Sequence, residues 1–248
     1  MNRFEGQRAL VTGAASGIGR ATALRLVAEG AAVLAVDRSA DGLRETCALA
    51  TGPGRAVPRV ADVTDEPTVV AAVETAVDRL GGLDVLANVA GTHRTTPIGE
   101  LTVEDLNTLF SVNLVGTALF CREALPHLPD GSGVIVNVAS ASATQGNPYM
   151  TAYSASKGAV LSFTRSLAAE VVGRGIRVVP VSPGSVATPL TAGNVLPDHL
   201  DVRYFGRIRS MLGSGTPEQV AGVIAFAASA DGGYVTGSDV LVDGGAQT

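Results

Sequence analysis

The chain has 248 residues, a net charge of −5 and 46% hydrophobic residues. That length suits one α/β domain with a sizeable core, spanning 1–248 as a single unit. An acidic balance without a cluster of Lys and Arg speaks against a nucleic-acid partner, and no run of apolar residues is long enough for a membrane helix.

The first element is "RALVT" (8–12), an apolar strand that leads into the glycine-rich turn "TGAASGIG" and a helical pattern over 17–29. Gly13 permits the tight turn, Gly17 a close approach of backbone to a pyrophosphate, and Gly19 close helix–strand packing. Ser16 and Ile18 lie between these glycines, where the helix start offers free N–H groups to phosphates. The strand–turn–helix context makes this a dinucleotide site. A second strand (31–36) ends at Asp37, placed to bond the adenosine ribose, with Arg38 beside it. A carboxylate there repels a 2′-phosphate, so NAD is expected and NADP disfavoured, with Arg38 as the opposing influence.

After a helix over 41–50 and a strand over 55–60, "ADVTD" places Asp62 to accept the adenine amino group and Val63 beside the ring. Thr64 or Asp65 caps the next helix, 66–80. The fourth strand (83–88) runs into "NVAG". There Asn88 braces the sheet edge, while Ala90 and Gly91 let a cofactor lie close. A long helical pattern covers 102–128 and contains Asn113 in "FSVNLVG". The fifth strand (133–139) stops at Ser140, and a helix over 151–173 puts Tyr153 and Lys157 four residues apart on one face. A phenol ordinarily titrates near 10, and a neighbouring ammonium favours its phenolate. The small Ser154, Ala155, Ser156 and Gly158 are read as room for neighbours.

The sixth strand (176–181) precedes "SPGSVATP", and a segment rich in Gly, Pro, Ser and Thr over about 188–216 reads as a substrate lid. Val195, Leu196, Tyr204, Phe205, Met211 and Leu212 are its apolar wall candidates. Arg203, Arg207 and Arg209 raise the idea of an acidic substrate, or form a solvated face. A helix over 217–229 and a strand over 239–243 close the chain. Apolar strands alternating with helices give a doubly wound parallel sheet.

Cys47 and Cys121 have no partner-like spacing and read as buried small hydrophobes in a reducing, cytoplasmic protein. The opening "MNRFEGQRALVTG" lacks the apolar stretch of a signal peptide. His93, His127 and His199 show no ligand spacing, so no metal site is expected. His93 and His199 are candidates to line a pocket, Ser142 is a candidate second hydroxyl, and His127 suits a helix end.

Taken together, "TGAASGIG", "NVAG", Asn113, Ser140, "YSASK" and "SPGSVATP" resemble the short-chain dehydrogenase/reductase family over nearly the whole length. Valine in "NVAG" stands where the family often has a second asparagine. The resemblance implies a single Rossmann domain with seven parallel strands in the order 3-2-1-4-5-6-7. It implies Tyr153 as acid/base, and Lys157 as the group that lowers the tyrosine pKa and holds the nicotinamide ribose. Ser140 would orient the substrate oxygen, and Asn113 would support a proton-conducting water. Pro183, Gly184, Val186 and Thr188 would hold the nicotinamide. A homotetramer acting on a small-molecule alcohol or ketone is implied as well. The rivals are an NADPH-dependent carbonyl reductase, such as a β-ketoacyl carrier-protein reductase, and an NAD sensor without catalysis.

Overall fold

A computed structural model describes residues 2–192, 200–201, 203–204 and 209–248. Among these, seven strands form one parallel sheet in the order β3-β2-β1-β4-β5-β6-β7, as the sequence predicts. They are β1 (Arg8–Thr12), β2 (Ala32–Asp37), β3 (Arg55–Val60), β4 (Val85–Asn88), β5 (Val134–Val138), β6 (Arg177–Pro183) and β7 (Val240–Val242). Each predicted strand is present to within a residue or two at either end, the usual uncertainty of element boundaries.

The strands are apolar throughout because helices cover both faces. Side chains alternate between the two faces. Ala9, Val11, Val33, Ala35, Val85 and Ala87 meet helices α1 (Gly17–Ala28) and α8 (Pro217–Ala228) on one side. Leu10, Leu34, Leu86, Ile135 and Val178 meet α3 (Glu66–Leu80), α5 (Gly116–Ala124) and α6 (Thr151–Val171) on the other. Small residues on the first face let α1 lie near its strands. A Cβ on Gly19 would stand 2.0 Å from the Gly13 carbonyl oxygen, so even alanine there must move main chain.

The remaining helices are α2 (Ala40–Leu49), α4 (Val103–Phe110) and the short α7 (Pro189–Ala192). The helix expected over 102–128 is not continuous. α4 gives way to a π-helical turn at Ser111–Val115, then to α5 and a last 3-10 turn at Leu125–His127. A π-turn inserts a residue into the helical repeat and often marks a functional position. Asn113 sits at its centre.

Cys121 is buried, and burial pushes its thiol up to about 12; Cys47 is shifted in the same direction by the same cause. Both are free thiols; Cys121 is buried as expected, whereas Cys47 is only partly buried. No described helix is long and apolar enough to cross a membrane. Among the described residues no group of His, Cys, Asp or Glu is arranged for a metal ion.

Candidate active site

In this strand order β1 and β4 are neighbours whose connections leave in opposite directions, which opens a crevice beyond their carboxyl ends. Thr12 closes the two strands together there. Its buried hydroxyl accepts from the N–H groups of Val89 (3.0 Å) and Ala90 (3.1 Å). Gly13 follows with φ +69°, and a Cβ would stand 2.8 Å from the Ala90 Cα. Glycine is therefore required for the turn and for the contact between the two loops.

The crevice is a groove of about 470 Å³. Gly13, Ser16, Gly17, Ile18 and Gly19 line it, as do Asp37, Arg38, Asp62 and Val63, and Ala90, Gly91 and Thr188. Twelve of the predicted cofactor residues thus share one wall system. The helix ends bear on what the groove can hold. α2, α4 and α8 are N-capped by the side chains of Ser39, Thr102 and Thr216. Ser16 at the start of α1 makes no such bond, nor does Asp65 at α3, but of the two only Ser16 lines the groove. Uncapped N–H groups at the positive end of a helix suit a pyrophosphate. The groove therefore fits a dinucleotide.

Asp37 accepts from the N–H of Ala15 at 3.1 Å and of Ser39 at 2.9 Å, which fixes its carboxylate in the groove wall. Asp62 accepts from the N–H and hydroxyl of Thr64. The Thr64 N–H, aided by the nearby Arg38 charge, holds the Asp62 carboxyl below its usual range. Asp65 occupies the N-cap position of α3.

Asn88 does not line the groove. It is buried behind the strand end, donating to the Asn137 carbonyl at 2.9 Å and to the Cys121 sulfur at 3.3 Å. Asn137 continues the chain to the Thr164 hydroxyl at 3.0 Å, a polar cross-tie under β4, β5 and α6. Pro183 and Val186 are buried and line neither the groove nor the cavity described next. Gly184 is compelled by packing, since a Cβ would meet the Asp243 Cα at 2.7 Å.

A second cavity of about 430 Å³ contains Ser140 and Tyr153 in its wall. Ser140 lies two residues past β5, at the start of a 3-10 turn over Ala141–Ala143, and its hydroxyl accepts from the Ser142 N–H at 3.1 Å, which leaves its own proton to donate. Burial pushes the Tyr153 phenol up, while a hydrogen bond from Ser140 works in the opposite direction. Lys157 is buried one turn further along α6. Its ammonium donates to the Val138 carbonyl at 2.8 Å, and burial lowers its pKa to about 8. Burial disfavours the charged form of both groups, the phenolate and the ammonium.

Asn113 clamps the loop after β4. Its side-chain oxygen accepts from the Thr92 N–H at 2.8 Å, and its amide donates to the Thr92 carbonyl at 3.0 Å and the Ser156 hydroxyl at 2.9 Å. Ser156 in turn donates to the Tyr153 carbonyl. One asparagine therefore fixes Gly91–Thr92 against the turn of α6 that carries Tyr153. A Cβ on Gly91 would stand 3.3 Å from the Asn113 oxygen and 3.4 Å from Lys157 Nζ, so Gly91 lies against both side chains, although Lys157 and Tyr153 do not themselves line the groove. Gly158 is different: a Cβ there makes an ordinary 3.6 Å contact, and close approach does not require its smallness.

His93 lines the cavity, its ring edge-on to Tyr153 with centroids 4.5 Å apart. Ser142 lines it too. Gln145, Asn147, Met150 and Ser214 join them, none of them anticipated from sequence. The Asn147 side-chain oxygen is buried without a partner. Tyr149 adopts φ +60°, rare for a bulky residue and held here by the Thr96 N–H donating to its carbonyl at 2.7 Å. No sequence signal marks it. Of the lid residues, Met211 and Leu212 are exposed, and Tyr204 packs edge-on to Tyr149. Val195, Leu196, His199, Phe205 and Arg207 lie outside the described residues. Arg203 is paired with Asp201 at 2.7 Å, whereas Arg209 lines the cavity.

The family model for enoyl-(acyl carrier protein) reductases matches residues 13–247. The 3-oxoacyl-[acyl-carrier-protein] reductase of Thermotoga maritima is 42% identical over 246 residues, covering 98% of each chain. The chain belongs to the short-chain dehydrogenase/reductase family. As a member of that family it is an NAD(P)-dependent oxidoreductase, which removes the sensor alternative.

Two solved members of the family bear on the cofactor. A short-chain dehydrogenase of Burkholderia cenocepacia in complex with NADP is 35% identical, covers 100% of both chains and superimposes with a TM-score of 0.89. A short-chain dehydrogenase of Mycobacterium paratuberculosis bound to NAD is 30% identical, covers 98% of both and gives 0.90. The NADP complex overturns the expectation that NADP is the less favoured cofactor.

Proposed function

We propose that this short-chain dehydrogenase/reductase interconverts a secondary alcohol and a ketone, with Tyr153 as the acid/base. The observation that carries the reading is the meeting of Ser140 and Tyr153 in one cavity wall, with Lys157 one helical turn behind. Bound NAD(P) supplies the two-electron acceptor or donor. The chain's own groups manage the oxygen and its proton. The Ser140 hydroxyl accepts from the Ser142 N–H and bonds the Tyr153 phenol, and a substrate oxygen would take the place of the phenol as acceptor of the Ser140 proton. In the oxidation the carbinol O–H proton passes to Tyr153 as the carbonyl forms; in the reduction the same proton returns. Lys157 carries a positive charge close to the phenol and, with a pKa near 8, remains charged at neutral pH. It thereby favours the phenolate when Tyr153 gives up its proton. Asn113 positions rather than reacts, since its side-chain bonds go to Thr92 and Ser156.

A panel of secondary alcohols and their ketones, each run with NAD and with NADP, tests the reading through absorbance at about 340 nm. Turnover of at least one alcohol–ketone pair is the expected result. Failure of every pair with both cofactors would sink it.

The tetramer is likewise proposed, on apolar side chains left exposed near β7 and α8. Tyr234, Leu241 and Phe226 are all open to solvent in the single chain. An unpartnered edge strand with apolar neighbours favours pairing. Sedimentation should give four times the chain mass; a monomer would contradict the proposal.

A further inference from the structure

Arg209 stands apart from the other arginines around the site. Arg203 is held by Asp201 and Arg94 by Asp105. Arg177 donates to the carbonyls of Ala227, Ser229 and Gly232. Arg209 makes no ion pair or hydrogen bond with any described residue, yet it lines the cavity that holds Ser140 and Tyr153. Its backbone is nonetheless held in place. The neighbouring Ser210 is buried and donates to the Gly244 carbonyl at 2.9 Å, and the Leu212 N–H donates to the same carbonyl at 3.1 Å.

The charge balance of the cavity points one way. Among the described lining residues Arg209 is the one permanently charged side chain, and no carboxylate shares the wall. Its other polar lining groups, such as Ser142, Gln145, Asn147 and Ser214, are neutral. The protein as a whole carries −5, so an anionic small molecule meets overall repulsion except where a local cation offsets it. A guanidinium presents paired N–H donors that match a planar oxyanion, and an arginine with no internal partner has those donors available. A cavity of about 430 Å³ is of the size that takes a small molecule.

We propose that the substrate of this site is a hydroxy acid or its keto form, with the carbinol at Ser140 and Tyr153 and the oxyanion on Arg209. The proposal rests on the alcohol–ketone reading above and names the substrate class within it. Arg209 acts in binding and takes no part in the proton transfer.

The test uses matched pairs: β-hydroxybutyrate, hydroxycyclohexanecarboxylate and mandelate, each beside its primary amide, which keeps the shape and removes the charge. The full chain is assayed with NAD and NADP, and the quantity read is the ratio of kcat/KM for acid over amide. In the native protein that ratio should exceed one by about 10- to 100-fold for at least one pair, the usual worth of a charge-assisted bond. Arg209→Gln should bring the ratio towards one, mainly through KM, and Arg209→Lys should restore part of it. A ratio at or below one in the native protein overturns the proposal. So does a ratio that Arg209→Gln leaves unchanged. In either case turnover of the amides leaves the alcohol–ketone reading standing. No turnover of any acid or amide overturns the hydroxy-acid assignment alone if the neutral alcohol panel reacts, and both readings if it does not.

Discussion

Replacing Tyr153 with phenylalanine should lower kcat by about 10²- to 10⁴-fold, the range expected when a positioned acid/base is removed. The substitution deletes one oxygen and leaves the ring that packs edge-on to His93. The fold should therefore be unchanged, and the affinity for NAD(P), read by fluorescence titration, should stay within about 3-fold of the native value if the phenol's main work is on the substrate proton. The groove that takes the dinucleotide is lined by other residues, with Ser16 and the start of α1 at its phosphate end. A variant retaining more than about a tenth of the native kcat would remove Tyr153 from the role of acid/base.

Lys157→Met should separate function from stability. Activity should fall by about 10²-fold, because the positive charge that favours the phenolate is lost. Stability at pH 7 should rise. The ammonium is buried, and its pKa in the folded chain is about 8 against 10.5 for an ordinary lysine. Between those two values the unfolded chain binds more protons than the folded one, so the contribution of Lys157 to stability increases with pH. Below about pH 8 the folded state bears the full penalty, worth about 3 kcal/mol. Methionine removes that penalty but leaves the Val138 carbonyl without its donor, a loss of about 1 kcal/mol. Urea denaturation should thus show the variant more stable by about 2 kcal/mol at pH 7. That advantage should disappear as pH rises through 8 to 10.5. An advantage independent of pH would mean that the packing of methionine, rather than relief of a buried charge, is responsible. A stabilised but impaired variant is the expected trade at a site where a charge is kept buried for chemistry.

Much of this molecule was legible in the sequence. Parallel strands buried on both faces are continuous apolar runs, and the sheet's seven were placed by that pattern, with the alternation of strand and helix giving the architecture. The glycine turn was legible because main-chain contact leaves no room for a side chain, as at Gly13 against Ala90 and Gly19 against the Gly13 carbonyl. The Tyr153–Lys157 pair was legible because helical spacing fixes which residues share a face.

Tertiary structure decided what depends on neighbours distant in the chain. The interruption at Ser111–Val115 comes with Asn113 reaching across to Thr92 and Ser156, which no periodicity records. Asn88 turned inward to Asn137 and Cys121 rather than to the groove, since a polar side chain at a buried strand end takes the partners that folding brings to it. Asp37 alone did not settle the cofactor: a solved relative covering the whole chain holds NADP. The same holds for charge. Burial, a property of the whole fold, raises the Tyr153 phenol and lowers Lys157, whereas the sequence shows only that the two are adjacent on a helix. Three arginines looked alike along the chain; an ion pair to Asp201 occupies Arg203, and Arg209, exposed and unpaired among the described residues, lines the cavity, because pairing is set by distance in space and not by order in sequence.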